Sequence, residues 1–179
     1  VVADPLHRYR SHTCGELRKA DIGTRARLSG WVHAKRDHGG ILFIVLRDHY
    51  GITQVVVSPE SPVFDAASGL ARECVARFDG PVAQRPPDTL NASLPTGEIE
   101  LRADTLEVLG TTEPLPLSVA DEQDAPESTR LQYRFLDLRR PALHERIVKR
   151  SKIIASLRRR MIELGFQEFQ TPILTSSSP

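Results

Sequence analysis

The chain has 179 residues, enough for one full domain and part of another. Lysine and arginine total 24 against 23 acidic residues, a net charge of +1, so any preference for a polyanion has to be local. No apolar run is long enough to span a membrane and no charged-then-apolar leader opens the chain. Cys14 and Cys74 lie far apart without a CxxC partner, and the expectation is two reduced thiols in a cytoplasmic protein.

In chain order, Thr13 with Glu16 three residues on has the spacing of a capping box and predicts a short helix over 13–20. Residues 25–57 then read as three strands. In the first, Ala26, Leu28, Gly30 and Val32 point inward and Arg27, Trp31 and His33 outward, and Lys35 and Arg36 are delivered into a polar turn. Residues 41–47 and 52–58 are apolar and β-branched, joined by Asp48-His49-Tyr50-Gly51. A four-residue loop sets Arg47 opposite Ile52, Val45 opposite Gln54 and Phe43 opposite Val56. Alternation then places Leu42, Ile44, Leu46, Thr53, Val55 and Val57 on the better core face. Phe43, Val45, Ile52, Gln54 and Val56 share the other, with Phe43 and Gln54 as diagonal neighbours.

An open face with a ring to stack on bases, an amide for base edges and flanking cations suits single-stranded nucleic acid, because every base has a π-face and every linkage a charge. The plainer reading is that Phe43 is ordinary core. The spacing of His33, His38 and His49 matches no metal site, and no metal is expected.

Further on, Pro62 and apolar residues at spacings of three and four predict a helix over 61–74. A fourth strand over 75–84 and a fifth over 98–109 follow, separated by Arg85-Pro86-Pro87-Asp88 and a turn at Pro95-Thr96-Gly97. This order is that of a mainly-β, five-stranded OB-fold barrel with one inserted helix, expected over residues 1–110. Residues 111–130, rich in proline and acids, read as an interdomain linker outside any core. Residues 131–179 open a second domain. Residues 133–141 lead into a long helix with Leu143, Ile147, Ile154, Leu157, Met161 and Leu164 on one face, cations on the other and Gly165 as its cap, and a strand over 166–174 follows.

The segment 165–174, Gly-Phe-Gln-Glu-Phe-Gln-Thr-Pro-Ile-Leu, after a long amphipathic helix resembles motif 1 of class II aminoacyl-tRNA synthetases. With Arg-Phe-Leu-Asp-Leu-Arg-Arg-Pro at 134–141, Gly30-Trp31-Val32 and Arg36-Asp37, the chain is similar over residues 6–179 to the bacterial-type aspartyl-tRNA synthetases. Lysyl and asparaginyl enzymes share the domain order, but the double Arg before Pro141 and the Arg-Asp-His-Gly-Gly loop favour the aspartyl branch.

The resemblance implies that the barrel is the anticodon-binding domain. Phe43 would stack on the central anticodon base, Gln54 would read it, and Arg36, with Trp31 and Lys35 nearby, would contact the same arm. Pro172 would lie at a homodimer interface. The full-length enzyme would activate L-aspartate with ATP and Mg²⁺ to aspartyl-adenylate and transfer it to tRNA(Asp). The arginine-bearing catalytic motifs would lie beyond Pro179, so the chain is expected to be an N-terminal fragment, the start of a truncated α/β catalytic domain, with no catalytic residue and no cofactor of its own. At the position of His38, enzymes restricted to tRNA(Asp) tend to carry Leu, and those that also charge tRNA(Asn) tend to carry His before Gly. Near Asp88 the restricted enzymes carry Lys. Both positions imply the dual-specificity type. The alternative is a free-standing OB-fold protein that binds single-stranded nucleic acid, with residues 131–179 as an oligomerisation helix.

Overall fold

The computed structural model describes residues 7–120 and 125–170. The chain divides into two compact units between Leu115 and Pro116. The first holds β1 (Arg25–His38), β2 (Ile41–Arg47), β3 (Ile52–Val57), α1 (Phe64–Ser68), β4 (Val75–Gln84), β5 (Ile99–Arg102) and β6 (Thr105–Gly110). β1 pairs β2 and β2 pairs β3 antiparallel, β3 pairs β5 parallel, and β4 pairs β5 and β1 antiparallel, so the pairings close a five-strand ring. β6 runs on along β4. Closure removes the open edges that a flat sheet would offer to other chains.

Inside the ring Leu28, Val32, Ile44, Leu46, Val55, Val57, Phe78, Val82, Ile99 and Leu101 are buried, as the period-two reading requires. Each such side chain contributes about 1.5–3 kcal/mol relative to exposure, so this inner layer is what specifies the strand register.

Several expected elements take another form. Half of the capping box of residues 13–16 is made, with Glu16 Oε2 accepting from the Thr13 amide at 3.0 Å while the Glu16 amide turns to the Thr13 carbonyl; no α-helix follows and only a 3-10 turn stands at Lys19–Asp21. The backbone there is claimed by the β2–β3 turn instead. The Cys14 amide donates to Asp48 Oδ2 at 2.8 Å, Thr53 Oγ1 donates to the Cys14 carbonyl at 2.6 Å, and a Cβ on Gly15 would sit 2.2 Å from the Tyr50 carbonyl oxygen. The helix expected over 61–74 shrinks to α1, because Glu73 and Cys74 leave it to pair with Val32: the Glu73 amide donates to Val32 O at 2.8 Å and the Val32 amide to Cys74 O at 2.9 Å.

The single strand expected over 98–109 is two. β4 bends at Gly80-Pro81, where Pro81 has no N–H for the ladder and Gly80 lets the Arg102 carbonyl approach to 1.9 Å from the place a Cβ would take. Asp79 pairs Thr105 while Val82 pairs Leu101, so the partner strand carries one extra residue across the bend.

In the second unit α2 (Glu127–Gln132) begins inside the stretch read as linker, and Leu117 and Val119 of that stretch are buried. α3 (Arg134–Asp137) ends on a carboxylate with no exposed surface. Asp137 accepts from Arg130 Nε at 3.2 Å and Arg134 Nη1 at 2.8 Å, with Arg140 Nη1 at 3.5 Å. Burial alone would push this carboxyl up; the hydrogen bond from Arg130, the charges of Arg130 and Arg134 and the bond from Arg140 together hold it below its usual range.

α4 (Pro141–Glu163) has Pro at its first turn and ends as expected: Gly165 takes φ +89°, its amide donates to Ile162 O and that of Phe166 to Met161 O. Residues 166–170, expected as strand, carry no strand here, and the remainder of that segment with Pro172 lies outside the described residues. Among the described residues no helix is long and apolar enough to cross a membrane.

Two substitutions test this packing. Gly15→Ala should lower stability by about 2 kcal/mol or more, because the methyl meets backbone that cannot retreat, and equilibrium denaturation measures it. Asp137→Asn leaves three guanidinium groups around a neutral amide and should cost about 2 kcal/mol of the second unit's stability. Since Asp137's carboxyl is depressed in the fold, its contribution is present above the unfolded pKa of about 3.9 and lost as pH falls through the folded value, so wild type and Asn variant should converge in acid.

Candidate nucleic-acid interface

The outer side of β1–β3 forms a grid fixed by strand register. Arg36 stands opposite Phe43, and Phe43 opposite Val56; Ala34 opposite Val45, and Val45 opposite Gln54; Trp31 opposite Arg47, and Arg47 opposite Ile52. Leu42, Ile44, Leu46, Thr53, Val55 and Val57 are buried on the inner side, and Phe43, Val45, Ile52, Gln54 and Val56 are half-buried on the outer. Phe43 is therefore a surface ring, diagonal to Gln54 at the close spacing of cross-strand neighbours.

Arg36 and Lys35 are not in a loop. β1 continues to His38, and the turn shortens to Gly39-Gly40, both at positive φ (+62° and +83°), the signature of a two-residue hairpin. A register shift between Val32 and Ala34 makes His33 the extra residue of a bulge. Residues before the bulge point outward at odd numbers and residues after it at even ones, so Arg36 joins Phe43 on the open face and Lys35 turns to the other. Lys35 Nζ donates to the carbonyls of Ser68 and, at 2.8 Å, Leu70, capping the end of α1. That engagement removes Lys35 from the grid.

Trp31 and Arg47 form the second aromatic–cation pair of the face. The Arg47 guanidinium lies 5.6 Å from the Trp31 ring centroid, donates from Nη1 to His33 Nδ1 at 2.6 Å and pairs through Nη2 with the buried Glu73 carboxylate at 2.9 Å. Glu73 reaches it with a φ of +62°, a strained geometry held by its amide bond to Val32 and by this ion pair.

Glu100 is the functional candidate that pattern reading does not find. It is 4% exposed on β5 and accepts from Gln54 Nε2 at 3.2 Å, with Arg102 Nε at 3.5 Å from its other oxygen. Arg85 is buried beside it and donates from Nε to Ile99 O at 2.8 Å; burial pushes the Arg85 guanidinium down from its ordinary value and the Glu100 charge pulls the other way. A sequence signal existed only in hindsight, as an acid standing where the Ile99 and Leu101 pattern makes the outer side of a strand.

His38 and Asp88 sit on separate exposed segments, His38 at the hairpin end of β1 and Asp88 in the 3-10 turn Pro87–Thr89 after β4. Cys14 is buried, and burial first and Asp48 second push its thiol up; Cys74 is also pushed up by burial. Neither is poised as a nucleophile. Among the described residues no cluster of His, Cys, Asp or Glu could hold a metal ion.

Residues 26–109 match the family described as OB-fold nucleic acid binding domain, tRNA anti-codon, and residues 126–179 match tRNA synthetases class II (D, K and N). The aspartate–tRNA(Asp/Asn) ligase of Brucella ovis is 61% identical over 97% of this chain, which spans 29% of that relative's length. The asparaginyl-tRNA synthetase structure from Pyrococcus horikoshii aligns with 27% identity and a TM-score of 0.77, covering 92% of this chain and 38% of that one. An aspartyl-tRNA synthetase from Entamoeba histolytica, 19% identical, shares the fold with a TM-score of 0.78 over 90% of this chain and 39% of its own. A second match beyond the strands separates the chain from a free-standing single-strand-binding protein.

The Arg47–Glu73 pair gives a prediction for the site itself. Glu73→Ala strips the counter-charge from a nearly buried guanidinium and should lower stability by about 3 kcal/mol, read by chemical denaturation.

Proposed function

We propose, for a chain that belongs to the class II aspartyl-tRNA synthetase family, that the open face of β1–β3 grips the anticodon of tRNA(Asp) and of tRNA(Asn). The observation that carries this reading is the grid in which Arg36, Phe43 and Gln54 stand on one side of one sheet. A base unstacked from its neighbours lays its π-face on Phe43, an edge meets the Gln54 amide, and Arg36 beside the ring neutralises or hydrogen-bonds the strand that passes over it. Trp31, with its guanidinium partner, extends the platform toward the Asp48–Gly51 turn. Lys35 supports the face from behind, through α1, without touching RNA.

The full-length protein then activates L-aspartate with ATP and Mg²⁺ and passes it to the tRNA, acting in the cytoplasm as a homodimer. Exposed apolar residues of α4 and the turn after it support the last point: Ile154, Leu157, Met161 and Ile162, with Phe166, line an apolar groove of about 330 Å³, which is the kind of surface a second copy covers. Pro172 would join that interface. His38 and Asp88 support dual specificity, since neither carries the Leu or Lys of enzymes restricted to tRNA(Asp).

Phe43→Ala should weaken binding of an anticodon stem-loop by the 179-residue chain about tenfold or more, at unchanged melting temperature. A fall in melting temperature with unchanged RNA affinity would return Phe43 to the core. For the full-length enzyme, transcripts of both tRNAs should be aspartylated and His38→Leu should reduce charging of tRNA(Asn) more than of tRNA(Asp). Failure of the unaltered enzyme to charge tRNA(Asn) would refute dual specificity.

A further inference from the structure

We infer that Arg8 and Arg10 bind the RNA backbone, holding the phosphates of nucleotides that flank the anticodon where the strand runs on past Trp31. The inference rests on the anticodon reading of the β1–β3 face and lengthens its footprint by a segment to which that reading assigns no role.

An OB face takes roughly four nucleotides or more, so a triplet centred on Phe43 leaves part of it unused. Phe43 stands four positions from Arg47 on β2, Arg47 opposes Trp31, and Ser29 is two positions further back on β1; at ~3.3 Å per residue this is about 20 Å along the sheet. There residues 8–11 lie across the outer side of β1. Ser29 Oγ donates to the Tyr9 carbonyl, and Arg27 Nη1 and Arg77 Nη1 donate to the Arg8 carbonyl at 3.4 and 3.3 Å. The Ser11 amide donates to Arg27 O at 2.9 Å and Ser11 Oγ accepts from the Arg27 amide at 2.8 Å. The segment is thus pinned by its backbone and one serine.

None of this anchoring uses the side chains of Arg8 and Arg10. The Arg8 guanidinium lies 5.3 Å from the Tyr9 ring centroid, and that of Arg10 lies 5.6 Å from the ring of Tyr50, which stands exposed on the β2–β3 turn. Both arginines are exposed, and among the described residues neither pairs with a carboxylate. Acids at this end of the barrel are engaged elsewhere: Asp48 accepts the amides of Cys14, Tyr50 and Gly51, Glu16 accepts that of Thr13, and Asp79 is shared by Arg27 and Arg77. A guanidinium held over a ring keeps its N–H fork available to phosphate oxygens, and a pinned backbone lowers the cost of ordering it. The occupant that fits is RNA rather than an acidic protein segment, because the patch continues the line of Phe43 and Trp31 and its cations alternate with rings.

The test uses the 179-residue chain and an anticodon stem-loop, with affinity followed by fluorescence anisotropy across a salt series. Replacing both residues, Arg8→Gln with Arg10→Gln, should weaken binding and flatten the slope of log K against log salt by about 1.4, roughly 0.7 for each single-strand phosphate lost. Arg8→Lys with Arg10→Lys keeps both charges and should restore the slope. On the RNA side, uncharged methylphosphonate linkages just beyond one end of the anticodon should cost wild type the same loss and cost the double Gln variant nothing further. An unchanged slope in the folded Gln variant, a slope that lysine does not restore, or an equal methylphosphonate penalty in wild type and variant overturns the inference. The patch then faces solvent or an acidic stretch of protein, and the anticodon reading stands. Absence of binding to the unaltered stem-loop overturns both.

Discussion

The structure depends on one constraint, that the inner side of a closed strand ring must be filled with apolar side chains. Leu42, Ile44, Leu46, Val55 and Val57 satisfy it, and once they are inside, the pleat leaves Phe43, Gln54 and Val56 no place but the outside. An exposed ring is therefore a by-product of burying its neighbours, and its placement opposite Arg36 and diagonal to Gln54 needs no force of its own. The proposed recognition chemistry uses the side of the sheet that folding leaves open.

This is also why so much of the ribbon was legible in the sequence. The pairs Phe43 with Val56 and Val45 with Gln54 follow from an apolar alternation and a four-residue turn, both of which are local. What was not legible depends on contacts between distant segments. Residues 13–16 carry the local signs of a helix start, yet Thr53 takes the Cys14 carbonyl that a first helical turn would have used, and Asp48 fixes the Cys14 amide. The helix over 61–74 stops early because the backbone of Glu73 and Cys74 pairs with Val32, far back in the chain, which also sets the Glu73 carboxylate against Arg47. The bend at Gly80-Pro81 is visible as letters, but its effect on the partner strand is not. Glu100 was hidden for a related reason: alternation says which side of a strand a residue takes, not which side chain from another strand it will meet.

The second unit follows a different logic. Its short helices are tied together by a buried carboxylate among three guanidinium groups rather than by a large core, while α4 leaves Ile147, Leu157 and Met161 exposed. The amphipathic spacing that identified this helix corresponds to an apolar side that the described residues leave exposed. The first unit, by contrast, encloses its apolar residues within its own ring of strands.

The supernumerary residue in β1 has a consequence for how the sequence can vary. Because His33 shifts the parity of everything after it, the strand behaves like a reading frame: dropping one residue there would send the guanidinium of Arg36 toward α1 and bring the ammonium of Lys35 out beside the Phe43 ring. Both cations would survive such a deletion with their order along the chain intact, but each would have inherited the other's task.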